Sequence, residues 1–321
     1  MVVVHRNPTF TPYLRKVTAV VTCLALFIWA STTLSFCGST DDSRPPRYAF
    51  ATVLTAGKDL EFPDIEAPYL EAARLLTFQL LRNPRTRTRI DNVPFLILVT
   101  PDVPRQHRDI LSREGATVVP VESLGNDWSS SQRRDTTLAK LNLWKLEEYD
   151  KIAFMNVESV IFRPIYDIFE DPATTIRVAT NPTGRMPKNY MMAAPQNFRM
   201  DLNMQLVSGH KFSQKSRMDD GFFILHPSRE LYNYYVGLRY IMDKDDSVHH
   251  EEDFINYAHR ADGPMPWQNL GAGWNQKDAS QSDYEKGLKS INHKWWRPIA
   301  DDFIGDRIAM SMDEMTAYLN H

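Results

Sequence analysis

A polar triplet, Asn156-Val157-Glu158, stands between two apolar runs near the middle of this chain, Ile152 to Met155 and Val160 to Phe162. The first run has the length and composition of a short buried strand. In an open α/β sheet, ligands bind at the carboxyl ends of the strands. The side chains of Asn156 and Glu158 are therefore candidates for binding and chemistry, and the alternative is that they are only polar residues at a strand end.

Strand-like and helix-like segments alternate along the chain before this triplet. The predicted strands are Tyr48–Leu54, Pro94–Val99 and Ala116–Val121, and the predicted helices are Ala67–Leu81, Pro104–Glu114 and Thr137–Glu148. Gly115 directly follows the second helix, and glycine is a favoured residue just past a helix end. This alternation predicts an α/β fold in which a parallel sheet has helices on both faces.

The chain beyond the triplet is less regular. Residues 181–217 are rich in Met, Asn, Gln and Pro and have little periodicity, so we predict a long irregular region there. After it, Gly221–Leu225 has the composition of another buried strand, and Arg229–Met242 and Glu251–Arg260 are predicted helices.

The composition limits the function classes. The 321 residues are 43% hydrophobic and 24% charged, which is ordinary for a soluble globular protein of one large domain or two small ones. A net charge of −3 gives no reason to expect nucleic acid as a partner. The two cysteines, Cys23 and Cys37, both precede residue 40. The globular part can therefore form neither an internal disulfide nor a cysteine-based metal site.

The N-terminal 40 residues have the pattern of a membrane anchor. Basic residues precede an uncharged run from Val17 to Thr40, which exceeds the roughly 20 residues that a membrane-spanning helix needs. The basic flank indicates that the N-terminus is cytoplasmic and that the rest of the chain lies across the membrane. A cleaved signal peptide is the alternative, because Val17 to Trp29 alone is an adequate apolar segment. The predicted organisation is a cytoplasmic tail (1–16), a transmembrane signal-anchor (17–36), a short linker (37–47) and a globular domain (48–321).

Eight segments, taken together and in order, resemble a known family. They are Leu54–Gly57, Phe95–Asp102, Ala139–Trp144, Glu148–Lys151, Gly221–Ser228, Asn256–Arg260, Gly263–Trp267 and His293–Trp296. This pattern is similar to glycosyltransferase family 8, the glycogenin and galactinol synthase type, in its fungal Golgi-anchored form. The resemblance implies a GT-A fold, a Rossmann-like α/β domain with a mixed, mainly parallel sheet that binds a nucleotide-sugar. It also implies sugar transfer with retention of the anomeric configuration.

The resemblance implies a metal site at the polar triplet. In this family an Asp-x-Asp motif follows the central strand, and residues i and i+2 of an extended segment point to the same side. Both carboxylates can then contact one Mn²⁺ or Mg²⁺ ion, which neutralises the diphosphate of the donor. Here the motif positions hold Asn156 and Glu158, and the position of the family's histidine ligand holds Asn292, with His293 one residue further on. All three positions depart from the pattern, so metal binding and activity stay open questions.

Other positions match the family's donor-binding residues more closely. The resemblance implies donor binding by Thr55, Lys140, Asp219, Asp220, Gly221 and Lys294, and catalysis by Glu251 and Glu252. Lys294 is expected to contact the diphosphate as a flexible point charge. Asp219 and Asp220 stand where the family has a neutral pair, and we hypothesise that Asp219 compensates for the altered metal positions by binding the cation or the sugar.

The sequence therefore predicts a retaining glycosyltransferase that moves a sugar from a nucleotide-diphosphate sugar, of the UDP-sugar type, to a glycan or other hydroxyl acceptor. One alternative is a catalytically silent relative that binds a nucleotide-sugar, a glycan or a partner enzyme. Another is a transferase whose acceptor is a small molecule. The expected location is the Golgi membrane, with a single-pass type II topology and the domain in the lumen. The sequence does not indicate the oligomeric state.

Overall fold

The strands of this protein form one large sheet and two small ones. The computed structural model describes residues 44–56, 68–89, 92–122, 138–196, 217–242 and 253–320. The strands in these residues are β1 (Tyr48–Leu54), β2 (Phe95–Val99), β3 (Thr117–Pro120), β4 (Lys151–Met155), β5 (Ser159–Ile161), β6 (Arg177–Val178), β7 (Asn189–Tyr190), β8 (Met192–Ala194), β9 (Phe222–Leu225), β10 (Gln268–Asn269) and β11 (Ser290–Asn292). Pro46–His321 forms one compact unit, to which all of these strands belong.

The large sheet is mixed and mainly parallel. Within the described residues it has seven strands in the order β10-β8-β9-β4-β1-β2-β3. Neighbouring strands are parallel except for the two pairs that include β9, which runs antiparallel to both β4 and β8. The predicted mixed, mainly parallel sheet is thus confirmed. Met155, the last residue of β4, pairs with Phe222, the first residue of β9.

Helices cover both faces of the large sheet, as the alternation of segments predicts. The α-helices in the described residues are α1 (Tyr69–Leu81), α2 (Arg105–Glu114), α3 (Arg229–Met242), α4 (Asp253–Ala258), α5 (Gln281–Glu285) and α6 (Asp302–Leu319). On one face, Phe50 and Phe95 share a core with Leu76 of α1. On the other face, Ala51 shares a core with Leu231 of α3. Because successive residues of a strand point to opposite faces, the apolar runs of β1 and β2 supply both cores.

A third core lies between α1 and the C-terminal helix. Leu75 and Phe78 of α1 pack with Ile304 and Ile308 of α6. The side chain of Asp301 accepts a hydrogen bond from the backbone N–H of Ile304 at 3.0 Å and so caps the start of α6. The sequence analysis made no prediction for this helix.

Two predicted elements need correction. The region 181–217, predicted to be irregular, contains β7 and β8, and β8 lies inside the large sheet. Its three buried residues are too few to give a periodic pattern. The predicted helix Thr137–Glu148 is helical over 138–141 and continues as a 3₁₀ turn over Asn142–Lys145. The side chain of Asn142 donates to the carbonyl of Ala139 at 3.2 Å, a local bond that competes with helix continuation.

Other segments agree with the sequence more closely. Gly115 ends α2 with a φ of +109°, in the left-handed region that glycine tolerates. The apolar run after the triplet is β5, which pairs antiparallel with β11 in a small separate sheet. The predicted signal-anchor lies outside the described residues. None of the helices that the structure describes combines the length and apolar character that a membrane span requires.

Candidate functional site

The polar triplet lies where β4 ends, as the sequence predicts. Asn156 follows β4, and its backbone N–H donates to the carbonyl oxygen of Gly221 at 2.8 Å. Gly221 precedes β9, and because β9 runs antiparallel to β4, its start meets the end of β4. The parallel strands β1 and β4 end at the same edge of the sheet, so Thr55, directly after β1, is also at this edge.

Asn292 reaches the same point from β11. In the small sheet formed by β5 and β11, Asn292 pairs with Ser159. A Cβ atom placed on Gly221 would lie 2.5 Å from Nδ2 of Asn292, 2.9 Å from Nδ2 of Asn156 and 3.2 Å from Nδ2 of Asn275. Two of the three predicted metal positions thus meet above the backbone of Gly221. A residue with a Cβ at position 221 would require these amides to shift.

A buried hydrogen-bond network lies beneath the place where the amides of Asn156 and Asn292 meet. Asp219 is 4% exposed, and its Oδ1 accepts from the backbone N–H of Gly221 at 2.9 Å. Its Oδ2 accepts from Nδ2 of Asn275 at 2.9 Å. The hydroxyl of Ser159 donates to Oδ1 of Asn275 at 3.3 Å, and the backbone N–H of Asn275 donates to Oγ of Ser290 at 3.0 Å. These contacts fix both the position of Asp219 and the orientation of the Asn275 amide.

Asn275 is a site residue that the sequence analysis missed. It is 2% exposed and has a φ of +49°, in the left-handed region that asparagine adopts more readily than most residues. It stands between two half-buried or buried polar partners that come from distant parts of the chain, Ser159 and Asp219. Nothing in its local sequence marks these contacts, because they depend on how β5 and β9 are placed.

Burial governs the charge of Asp219. Loss of hydration raises the pKa of this carboxyl, the ammonium of Lys277 opposes that rise, and the carboxylate of Asp220 adds to it. The hydrogen bonds from Gly221 and Asn275 favour the ionised form. Burial thus opposes the charge of the Asp219 carboxyl while specific donors favour it, and such groups are found at binding sites and at structural junctions alike.

Lys140 brings a buried cation to the same place. It lies on the helical turn 138–141, and the residue is 6% exposed. Its Nζ donates to the backbone carbonyl of Asp220 at 3.1 Å and lies 4.0 Å from Oδ2 of the same residue. The ammonium also lies 5.1 Å from the ring centroid of Phe154 on β4. These contacts hold the charge of Lys140 at the start of β9, as expected for a residue that contacts an anion there.

Glu158 and Lys294 complete the group. Burial raises the pKa of the half-buried Glu158, while a backbone hydrogen bond and the ammonium groups of Lys294 and Lys140 oppose the rise. These interactions place Glu158, Lys140 and Lys294 in one electrostatic neighbourhood. His293 lies between Asn292 and Lys294 and is half-buried. The structure therefore brings together the predicted residues from four chain segments. Glu251 and Glu252, the predicted catalytic residues, lie outside the described residues.

The donor atoms described at this site differ from the metal ligands that the family resemblance implies. In the part of the chain that the structure describes, no three His, Cys, Asp or Glu side chains are grouped so that they could hold a metal ion. The positions of two family ligands carry neutral amides, Asn156 and Asn292, and ligand charge strongly tunes the affinity of oxygen-ligand sites. Mn²⁺ or Mg²⁺ as a cofactor stays a prediction.

Comparison with known proteins identifies the fold. The galactosyltransferase LgtC, solved in complex with donor and acceptor sugar analogs, aligns with a TM-score of 0.51 and 11% identity over 84% of this chain and 94% of LgtC. The fold is GT-A. This part of the prediction from sequence is confirmed. At this level of identity the likeness concerns the fold alone.

Sequence comparisons give a partial relationship. No protein-family model matches the chain. Galactinol synthase 1 of Solanum lycopersicum is 31% identical over 84 residues, which are 25% of this chain and 26% of that protein. An uncharacterized protein of Schizosaccharomyces pombe is 22% identical over 292 residues, 81% of this chain and 76% of its own length. The chain thus spans only about a quarter of the galactinol synthase that it matches. The resemblance to glycosyltransferases of the galactinol synthase type is supported, whereas the fungal Golgi-anchored branch is not tested.

Proposed function

We propose that this protein transfers a sugar from a nucleoside-diphosphate sugar, of the UDP-sugar type, to a hydroxyl group of a glycan or another acceptor, with retention of configuration. One observation carries the proposal. Four parts of the chain meet at the end of β4 on a GT-A fold. They are Lys140, the Asp219-to-Gly221 turn, the Asn156-to-Glu158 triplet and the Asn292-to-Lys294 segment. The partial similarity to a galactinol synthase supports the same activity.

The charges at this place suit the leaving group of such a reaction. Transfer breaks the bond between the anomeric carbon and the diphosphate, on which negative charge then grows. An ammonium held close to that oxygen stabilises the transition state more than the ground state. We assign this task to Lys140, which the Asp220 contacts hold in place, and to Lys294. Glu251 and Glu252 are proposed to act beside the anomeric carbon, as the family resemblance implies.

A catalytically silent relative is the second candidate, and one observation favours it. Asn156 and Asn292 are neutral at positions where the family has charged or metal-binding ligands, and they lie together above Gly221. A protein with this site can bind a nucleotide-sugar through its lysines without stabilising the transition state enough for transfer.

One assay separates the two candidates. We would incubate the purified full-length chain with a panel of UDP-, GDP- and ADP-sugars plus candidate acceptors, and measure the release of nucleoside diphosphate. Release with one donor is expected, and Lys294→Ala should lower it about tenfold or more, because a charge-assisted contact to phosphate is lost. Lys188→Ala, at an exposed lysine before β7, is the matched control. Binding of a nucleotide-sugar with no release from any donor would favour the silent candidate.

We also propose that the chain is a type II Golgi membrane protein. The support is the basic flank and the long uncharged run of its first 40 residues. Fluorescence microscopy of the tagged full-length chain, with protease protection of the tag, tests this proposal. A C-terminal tag should be protected inside Golgi-derived vesicles. Release of the globular domain into the medium would indicate the cleaved signal peptide instead.

A further inference from the structure

The site at the end of β4 offers amide hydrogen-bond donors and ammonium groups. We infer that it binds the diphosphate of a nucleotide-sugar through lysine and amide N–H groups, without a divalent cation. This inference rests on the proposed function and concerns how the same site holds its donor. It differs from the cation-dependent binding that the family resemblance implies, and the reason lies in the residues that line the site.

The first step of the argument is the set of amides. Asn156, Asn275 and Asn292 all bring a carboxamide to within 3.2 Å of one point above Gly221. The orientation of Asn275 is fixed, because its Nδ2 faces a carboxylate and its Oδ1 faces a hydroxyl. Each carboxamide has two N–H donors, and it carries no charge in either orientation. Groups of this kind can hydrogen-bond phosphate oxygens, but they add no charge that would hold a dication.

The second step is that two of the three carboxylates described in this cluster already have partners. Asp219 uses both oxygens, one for the backbone N–H of Gly221 and the other for Asn275. It is buried beneath the point at which the amides meet. Asp220 lies against the ammonium of Lys140. A cation that took Asp219 as a ligand would have to displace the two donors of that carboxylate, which would then be left without partners in a dry environment.

The third step is the balance of charge. The described carboxylates of this cluster are Asp219, Asp220 and Glu158, and the ammonium groups that act on them are those of Lys277, Lys140 and Lys294. Three negative groups thus face three positive ones. The affinity of an oxygen-ligand site for a divalent cation depends on how many charged ligands it has. In this cluster the lysines supply the positive charge that a cation would otherwise bring to the diphosphate.

Lysine is also able to turn towards an incoming anion. The ammonium of Lys140 has three N–H donors, and its hydrogen bond within the protein goes to the carbonyl of Asp220. Its distance of 4.0 Å to the Asp220 carboxylate is long for an ion pair. A flexible stem and spare donors allow Lys140 to bind phosphate oxygens while it keeps its contact with the backbone.

Binding of UDP to the purified full-length chain tests this inference. Isothermal titration would be run in EDTA and again with added MnCl₂. We expect the two dissociation constants to agree within about twofold, since no ion takes part. Binding that occurs only with Mn²⁺ would overturn the inference and leave the proposed function intact. Absence of UDP, GDP and ADP binding under both conditions would overturn the proposed function and the inference with it.

Variants of the chain test which residues bind UDP without a divalent cation. In EDTA, Lys294→Ala should weaken UDP binding by about tenfold or more, and Lys188→Ala should leave it unchanged. The double variant Asn156→Asp/Asn292→His adds a carboxylate and an imidazole at the family's ligand positions. With UDP present, its uptake of Mn²⁺, followed by the electron paramagnetic resonance signal of the free ion, should exceed that of the unmodified chain. Equal, strong Mn²⁺ uptake by the unmodified chain would contradict the inference.

Discussion

Two buried polar clusters of this protein differ in the groups that surround them. In the first, the fully buried ring of His259 donates or accepts only within the protein, with Nδ1 2.7 Å from the carbonyl oxygen of Met265 and Nε2 2.5 Å from the hydroxyl of Tyr235. In the second, Asp219 and Asn275 are equally well paired, but the half-buried amides of Asn156 and Asn292 lie close to them at Gly221.

The difference teaches that a buried titratable group does not by itself mark a binding site. Burial lowers the pKa of His259 to about 4, and it raises the pKa of Asp219. Yet the ring of His259 lies against those of Tyr190 and Tyr235, and no charged group is among the causes of its shift. Asp219 lies among charges of both signs from separate chain segments. A mixture of charges from separate chain segments is what distinguishes the candidate site from a structural cluster.

The largest expected effect concerns the structural cluster. The pKa of His259 is about 4 in the folded chain, against roughly 6.5 when unfolded. The unfolded state therefore binds more protons between these values, so stability is full above pH 6.5 and falls as the pH drops towards 4. The loss should be about 3 kcal/mol, measured by urea unfolding at several pH values.

Two substitutions test whether His259 is the source of this pH dependence. His259→Gln should flatten the decrease in stability between pH 6.5 and 4, and His107→Gln, at a partly exposed histidine of α2, should not. An unchanged slope in His259→Gln would show that the ring is not the source. An NMR titration of the His259 ring in the unmodified chain gives its folded-state pKa directly and does not depend on how well the variants fold.

Gly221→Ala should have the next largest effect, and on activity. The added Cβ would lie 2.5 Å and 2.9 Å from the amides of Asn292 and Asn156, which must move away. A displacement of about 1 Å at an active site can lower the rate by about a hundredfold. The release of nucleoside diphosphate measures this effect. Gly237→Ala is the control, because a Cβ there meets no atom within 4 Å, and it should leave transfer unchanged.

Asn275→Ala should destabilise the protein by about 2–3 kcal/mol, because Oδ2 of the buried Asp219 loses its side-chain donor. The pKa of Asp219, already raised by burial, should rise further. A raised folded-state pKa makes the folded chain bind the extra proton, so the destabilisation should be larger at pH 7 than at pH 5. Thermal unfolding at both pH values measures it. Equal losses would mean that Asn275 acts on packing alone.

Tyr235→Phe should lower stability by about 1–2 kcal/mol, because it removes the hydroxyl that donates to Nε2 of His259. Transfer activity of the folded variant should be unchanged, in contrast to Gly221→Ala. Reduced activity at full saturation with donor and acceptor would show that the two clusters are coupled.

Ser159→Ala should have the smallest effect. Its hydroxyl donates to Asn275 at 3.3 Å, a long hydrogen bond whose loss should destabilise the protein by about 0.5 kcal/mol. The Asn275 amide keeps its bond to Asp219 in this variant. Comparison of the unfolding curves of Ser159→Ala and Asn275→Ala therefore separates the two halves of the network.

The sequence predicts the parts of this protein that depend on local pattern. The strands β1 and β2 are continuous apolar runs, and the end of α2 is marked by Gly115, so both could be read from their own residues. β8 could not, because three buried residues carry no period and are recognised only when β9 lies beside them.

The candidate site likewise combines residues that local sequence indicates with contacts that depend on the fold. The sequence indicates Asn156 and Glu158 because a polar triplet follows an apolar run, and the family resemblance adds Lys140 and Lys294. The meeting of Asn156 with Asn292 depends on how β11 pairs with β5. Asn275 depends on contacts across more than 50 residues of sequence, with Asp219, and more than 100, with Ser159. Such contacts leave no local signal.

The bare backbone of Gly221 has a consequence for the evolution of this protein. Every replacement of a glycine adds at least a Cβ atom, and at this position that atom would collide with two asparagines. Selection to keep the amides in this arrangement would therefore favour glycine at position 221, whereas a lineage that had lost all ligand binding would be released from this preference. Among orthologues, variation at position 221 thus records where in its history the pocket stopped being used.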